Sequence, residues 1–286
     1  MGVIDRAIEK LRHNAEAAKL TLRPAGPAAD AAVPEVVTPA KRIALNLVQL
    51  RATGYLPEER EERRFADYYR AIKRPIIQKA VGPDASADLR LILVSSALPG
   101  DGKTFTTLNL ALSIAREHDV SVLLVDADIP KGHISQALGV QNEPGLVDAL
   151  LDDTRDVESL VIGTDVRGLE VLSAGRPAGG TTELIASARM AQIAARLRAR
   201  NPRRLALFDS PPLLVSSEAR ALVQIPGQVV LVARAGHTPC QALLEAISHV
   251  DKTKLQTIIL NDAHVRGNEG YYGYSAYGSE TKSEST

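Results

Sequence analysis

Short runs of aliphatic and β-branched residues recur along the chain, at 90–95, 121–126, 169–172, 204–209, 228–233 and 256–260. Most are continuous rather than alternating, the pattern of parallel strands covered on both faces. Between them lie segments with helical character, at 103–117, 181–200, 217–222 and 239–250. This alternation predicts an α/β fold, an open and mostly parallel sheet with helices on both faces. Ligands on such sheets bind outside the C-terminal ends of the strands. A charged helical segment, 58–79, precedes the first run and ends near Gly82-Pro83. No internal repeat is present.

The two ends of the chain differ from this middle. Val3, Ile4, Ala7, Ile8, Leu11, Ala15 and Ala18 recur at helical spacing, so residues 1–20 read as an amphipathic helix. Pro24, Pro27, Pro34 and Pro39 among alanines make 21–40 an extended linker. A globular domain is expected over 41–264. Residues 265–286, rich in Gly, Ser and Glu, read as a disordered tail.

Composition sharpens the picture. The 286 residues hold 34 Lys plus Arg and 34 Asp plus Glu, a neutral balance that excludes coating nucleic acid by bulk charge. Aromatics are scarce (seven Tyr, three Phe, no Trp), yet Tyr271, Tyr272, Tyr274 and Tyr277 fall in one short window of the tail. Cys240 is the single cysteine, so a disulfide framework and a Cys-based zinc site are excluded; it reads as a packed residue at the start of a helix. The histidines show no ligand spacing. No apolar run approaches the roughly 18 residues of a membrane span. Charges at Asp5, Arg6, Glu9 and Lys10 argue against a signal peptide. A cytoplasmic location is expected.

The strongest chemical signal is Ala97-Leu98-Pro99-Gly100-Asp101-Gly102-Lys103-Thr104, between a predicted strand and a predicted helix. That is the setting of a phosphate-binding P-loop, where backbone N–H groups and a helix N-terminus surround phosphate oxygens. Gly100 and Gly102 permit close backbone approach, Lys103 pairs with phosphates, and the Thr104 hydroxyl suits Mg²⁺. Pro99, Asp101 and Phe105 complete the expected ATP-binding segment. Ala97 stands where the first glycine is usual. The dinucleotide fingerprint fails for want of a third glycine.

Two strands end in acids. Val125-Asp126-Ala127-Asp128 closes one, and Phe208-Asp209-Ser210-Pro211-Pro212 another. A carboxylate at a buried strand end is costly unless a cation or donors meet it. Asp209 reads as the Walker B acid, and Asp126 and Asp128 as a second metal-side acid and a general base. Strand alternation, if it continued, would put these last two on one face. Caps or turns are the structural alternative for all three.

Together these pieces resemble the bacterial tyrosine kinases of polysaccharide synthesis and export. The loop 96–104 looks like that family's Walker A, 125–128 its second acidic motif, 208–212 its Walker B, and the tyrosine-rich tail its autophosphorylation cluster. Asp67-Tyr68-Tyr69-Arg70-Ala71-Ile72-Lys73 resembles the acid-x-x-Arg-x-x-basic motif of subunit contacts, assigning Asp67, Arg70 and Lys73 to an oligomer interface. Residues 1–12 and 50–75 look like the exosortase-associated branch, whose members lack a membrane segment. In one departure, Pro130 stands where the family usually has an arginine, and Lys131 follows.

The resemblance implies a P-loop fold of the ParA/MinD type and an ATP- and Mg²⁺-dependent protein-tyrosine autokinase. A tail tyrosine from a neighbouring subunit would enter the site. Asp126 would take its proton, Asp128 and Asp209 would support Mg²⁺ beside Thr104, and Lys103 would stabilise the transferring charge. Implied partners are other copies in a ring-like oligomer, a separate membrane chain-length regulator (polysaccharide co-polymerase) that recruits the chain to the inner membrane, and a tyrosine phosphatase. The rival function is a switch ATPase of the ParA and MinD type without kinase activity. Leu98 stands where such switches carry a lysine, and they have no reason to hold a tyrosine tail. Tyr55, Tyr68 and Tyr69 read as packing or interface groups. Residues 185–204, with six arginines and no acid, read as a solvated helix face or an anion or partner surface.

Overall fold

The computed structural model describes residues 39–176 and 179–263. The expected N-terminal helix, nearly all of the proline linker and the tail with its four tyrosines lie outside the described residues.

Among those described, the chain runs β1 (Lys41–Ile43), α1 (Leu47–Ala52), α2 (Glu62–Val81), β2 (Leu91–Ser96), α3 (Lys103–Ala115), β3 (Ser121–Asp126), α4 (His133–Ala137), α5 (Leu146–Leu151), β4 (Ile162–Thr164), β5 (Leu169–Leu172), α6 (Thr181–Ile185), α7 (Ala188–Ala199), β6 (Arg204–Asp209), α8 (Ser217–Leu222), β7 (Gln228–Arg234), α9 (Cys240–Ser248) and β8 (Leu255–Asn261). The strands form one sheet in the order β1-β4-β5-β3-β6-β2-β7-β8. Every pairing is parallel except β4 with β5.

The continuous apolar runs follow from this layering. Leu91 and Leu93 of β2 and Ala206 and Phe208 of β6 face one core, which α7 closes with Met190, Ile193 and Leu197. Their sequence neighbours Ile92, Val94, Leu205 and Leu207 face the other core, closed by Leu108, Ala111 and Ile114 of α3 and Ile76 of α2. Side chains alternate across the sheet, but both sides are dry, so both must be apolar. Removing one such side chain, as in Leu207→Ala, costs about 2–5 kcal/mol.

Three local expectations are corrected. The helix expected at 181–200 is two helices: α6 stops at Ile185 and Ser187 caps α7 by accepting the Met190 N–H. Strands β1 and β4 were not expected; at three residues each they are too short to show a period. Cys240 is exposed rather than packed.

The arginine-rich stretch is neither a bare solvated face nor an open anion surface. Arg196 pairs with Asp156, Arg198 with Asp88, and buried Arg204 with Glu158 and Glu170. Arg189 donates to the carbonyls of Ala149, Asp152 and Arg155. These side chains tie α7 and β6 to segments distant along the chain. No helix among the described residues is long and apolar enough to cross a membrane.

Candidate functional site

The sheet order sets the site. β6 lies between β3 and β2, and its register places Asp209 beside Asp126 on one side and Val94 on the other. The loop leaving β2 therefore passes directly over two strand-end acids.

That loop has a fixed shape. Gly100 (φ +85°) and Gly102 (φ +91°) occupy the left-handed region. A Cβ on Gly102 would stand 1.9 Å from Asn261 Nδ2. Asn261 Nδ2 instead donates to the Asp101 carbonyl at 3.0 Å. The Asp101 carboxylate accepts the Leu98 N–H at 2.9 Å and the Thr238 hydroxyl at 2.6 Å. Asp101 is thus a brace within the loop. Helix α3 starts at Lys103 with no side-chain cap, so its first N–H groups are available to an anion.

Lys103 is buried and donates to Asp128 Oδ2 at 2.7 Å. The Thr104 hydroxyl donates to Asp209 Oδ2 at 2.9 Å. The Thr107 hydroxyl lies 2.9 Å from Asp209 Oδ1 and 2.7 Å from the Lys103 carbonyl. Asp126 Oδ2 accepts both the N–H and the hydroxyl of Ser135 at 2.7 Å, while Oδ1 is buried without a hydrogen-bond partner. The Ser135 hydroxyl in turn accepts the Ala174 N–H at 3.0 Å.

Burial governs the protonation of this cluster. It pushes Asp209 up to about 7, against the pull of Lys103 and the Thr107 and Thr104 hydroxyls, with Asp126 adding to the rise. Burial likewise raises Asp126, although the Ser135 bonds oppose it. For Lys103 burial disfavours the charged form, but Asp209, Asp128 and Asp126 outweigh it and the amine is raised. His133, at the start of α4, is lowered by burial and by Lys103.

Three buried carboxylates thus face one buried ammonium, and one carboxylate oxygen has no donor. This surplus of negative charge fits a divalent cation, and the uncapped helix with its left-handed glycines fits phosphate. No group of three or more His, Cys, Asp or Glu side chains among the described residues forms a metal cage by itself. Mg²⁺ in phosphate sites takes few protein ligands and completes its shell with phosphate oxygens and water.

Several expected residues take other positions. β3 ends at Asp126, so strand alternation does not place Asp128; the two acids are held by different partners. Asp128 reaches Thr104 only through Lys103. Pro99 and Gly100 lie exposed at the rim, and Lys131 is exposed. Phe105 packs edge-to-face on Phe65 of α2, with ring centroids 5.8 Å apart, so its side chain serves helix packing. Asp67 and Arg70 form an exposed pair, but Lys73 turns inward to the Ser113 carbonyl and Glu117. That basic residue is therefore not on a free surface.

Sequence reasoning missed Thr107, Ser135, Thr238 and Asn261. Thr107 lies one helical turn after Lys103 and was open to inference from helix periodicity. The other three had no local signal.

No family model matches the chain. Tyrosine-protein kinase YwqD of Bacillus subtilis is 30% identical over 212 residues, spanning 73% of this chain and 86% of YwqD. The chain belongs to the bacterial tyrosine-protein kinases. Within this family, the putative tyrosine-protein kinase EpsB of Ralstonia nicotianae is 32% identical over 191 residues, 66% of this chain. The matched region spans only about a quarter of EpsB, and of the Salmonella typhimurium tyrosine-protein kinase wzc. Among solved structures, the kinase domain of Escherichia coli tyrosine kinase ETK superposes with a TM-score of 0.62 at 26% identity, over 73% of this chain and 80% of that one. The VpsO kinase domain gives 0.57 at 30% identity, over 70% and 99%. The mostly parallel sheet of this chain is thus a fold it shares with kinase domains of the family.

Proposed function

We propose that the chain is an ATP-dependent protein-tyrosine autokinase that phosphorylates tail tyrosines Tyr271, Tyr272, Tyr274 and Tyr277 of a neighbouring copy. The observation that carries the reading is the buried cluster of Lys103, Asp126, Asp128 and Asp209 under a braced phosphate loop, in a chain that continues into clustered tyrosines. The nucleotide phosphates would lie on the N–H groups of the loop and of α3. Thr104, Asp128 and Asp209 would hold Mg²⁺, which when bound neutralises charge on the phosphate oxygens. Lys103 would exchange its bond to Asp128 for the transferring phosphoryl group. Asp126, whose burial makes it a stronger base than a free carboxylate, would accept the tyrosine proton as the tyrosine oxygen bonds to phosphorus and ADP leaves.

The proposed organisation is an N-terminal helix over 1–20, a linker over 21–40, the kinase domain over 41–264 and a substrate tail over 265–286. Control of exopolysaccharide polymerisation or export, a ring of copies in contact through Asp67 and Arg70, recruitment by a membrane chain-length regulator, a tyrosine phosphatase, and the exosortase-associated branch rest on the resemblance described above.

The test is phosphotyrosine formation by purified protein with Mg²⁺ and ATP, beside Asp126→Asn and a variant with the four tail tyrosines changed to Phe. The proposal expects label on the tail of the unaltered chain and none in either variant. Phosphate release without phosphotyrosine would overturn the kinase reading in favour of the switch ATPase.

A further inference from the structure

A groove of about 590 Å³ runs between α2 and β8. Phe65, Tyr68, Tyr69 and Ile72 line one wall, and residues 257–261 the other. The three rings pack together, with Phe65 edge-on to Tyr68 and stacked on Tyr69. Tyr68 is 41% exposed on the α2 side, and Ile258 at 42% and Leu260 at 60% stand exposed on the opposite face of β8, so large side chains meet water on both faces of this sheet edge. Among the described residues β8 is the edge strand and pairs with β7 alone. Its outer edge has N–H and C=O groups with no strand partner among those residues, beside an apolar wall, a combination that folded proteins cover.

The chain itself supplies a cover. Asp262 and Ala263 line the groove, and the sequence continues from that point. Beyond residue 266 the only large apolar side chains are Tyr271, Tyr272, Tyr274 and Tyr277. The eight residues from Ala263 to Tyr271 span up to roughly 26–29 Å, ample for a return. Gly267-Asn268-Glu269-Gly270 provides turn residues for it. In a strand, Tyr272 and Tyr274 share one face.

We infer that segment 271–277 of the same chain returns along the outer edge of β8 as an added strand, with Tyr272 and Tyr274 packed against Phe65, Tyr68 and Tyr69. Backbone pairing to β8 fixes the segment and the aromatic wall selects the tyrosines, as in other cases of strand addition. Docked there, the tyrosines are engaged by the chain's own sheet edge rather than free to enter the phosphate site of a neighbouring copy. A phosphotyrosine dianion set against Phe65, Ile72 and Ile259 carries a desolvation cost, so modification loosens the docked segment. That last consequence rests on the kinase reading. The docking does not, and it is measured without nucleotide, so the two fail separately.

The experiment is hydrogen exchange on dephosphorylated full-length chain without ATP. It is compared with a full-length variant carrying Tyr271→Ser, Tyr272→Ser, Tyr274→Ser and Tyr277→Ser, and with Tyr68→Asp, a change at an exposed position of the aromatic wall. The inference expects amides of β8 to exchange at least about tenfold faster in both variants, while core amides of β2 stay unchanged. Protection in the unaltered chain should be independent of protein concentration. Equal β8 exchange in all three proteins overturns the inference. Protection that rises with concentration also overturns it, assigning the groove to a second copy.

Discussion

Changing Lys103 to Met removes more than a phosphate ligand. The ammonium is buried, bonded to Asp128 at 2.7 Å, and its charge also acts on Asp209 and Asp126. Without it, three buried carboxylates have no cation. Removing one partner of a buried ion pair costs about 3–5 kcal/mol, because the other charge is left without compensation. For a domain of this size each kcal/mol moves the thermal midpoint by roughly 2–4 °C, so Lys103→Met should melt about 6–20 °C lower at pH 7.5 without nucleotide. The loss should shrink as pH falls, since the carboxylates can then protonate. Adding Asp128→Asn removes the one of these carboxylates that was bonded to the lysine. The double variant should therefore be more stable than the sum of the single losses, by at least about 1 kcal/mol. Calorimetry on the four proteins of this cycle measures both quantities. A Lys103→Met midpoint within about 2 °C of the unaltered chain, or strict additivity, would refute the reasoning, which has the lysine holding the fold as well as the phosphate.

Three further outcomes are expected. Asp209 titrates at about 7 in the fold; a raised carboxylate favours the fold fully below pH ~4 and loses that contribution as pH rises toward 7, by up to about 4 kcal/mol. Asp209→Asn should flatten this limb in urea midpoints taken from pH 4 to 7.5, and an unchanged slope would count against it. Ser135→Ala deletes a hydrogen bond to a carboxylate and should cost about 1.5–3 kcal/mol by urea unfolding, with Ser135→Thr recovering most of it. Gly102→Ala puts a side chain at φ +91° and 1.9 Å from Asn261 Nδ2, and should abolish binding of an ATP analogue in calorimetric titration; Gly102→Ala with Asn261→Ala relieves the clash but not the strained backbone, so affinity should return only in part.

Strand β3 and strand β6 were read from the chain with their observed ends, because a strand dry on both faces must be apolar at nearly every position. The phosphate loop was equally legible, since its glycines, lysine and threonine act through backbone geometry within a few residues. Partners brought from afar were not legible. Arg196 and Arg204 looked free of acids because Asp156 and Glu158 lie some 40 positions upstream. The cap at Ser187 was hidden by the apolar period running through it, and β1 and β4 by their brevity.

What the sequence by itself determined is the alternation of strand and helix, the phosphate loop and the acids at two strand ends, all products of local sterics and burial. What only the tertiary structure decided is how these meet. Thr104 and Asp209 are 105 positions apart and touch because β6 is inserted between β3 and β2. Likewise the Asp101 brace depends on Thr238 and Asn261, which only strands β7 and β8 bring to the loop. Such contacts carry no local pattern, because their free energy is gained only when the sheet closes the distance between segments that are remote along the chain.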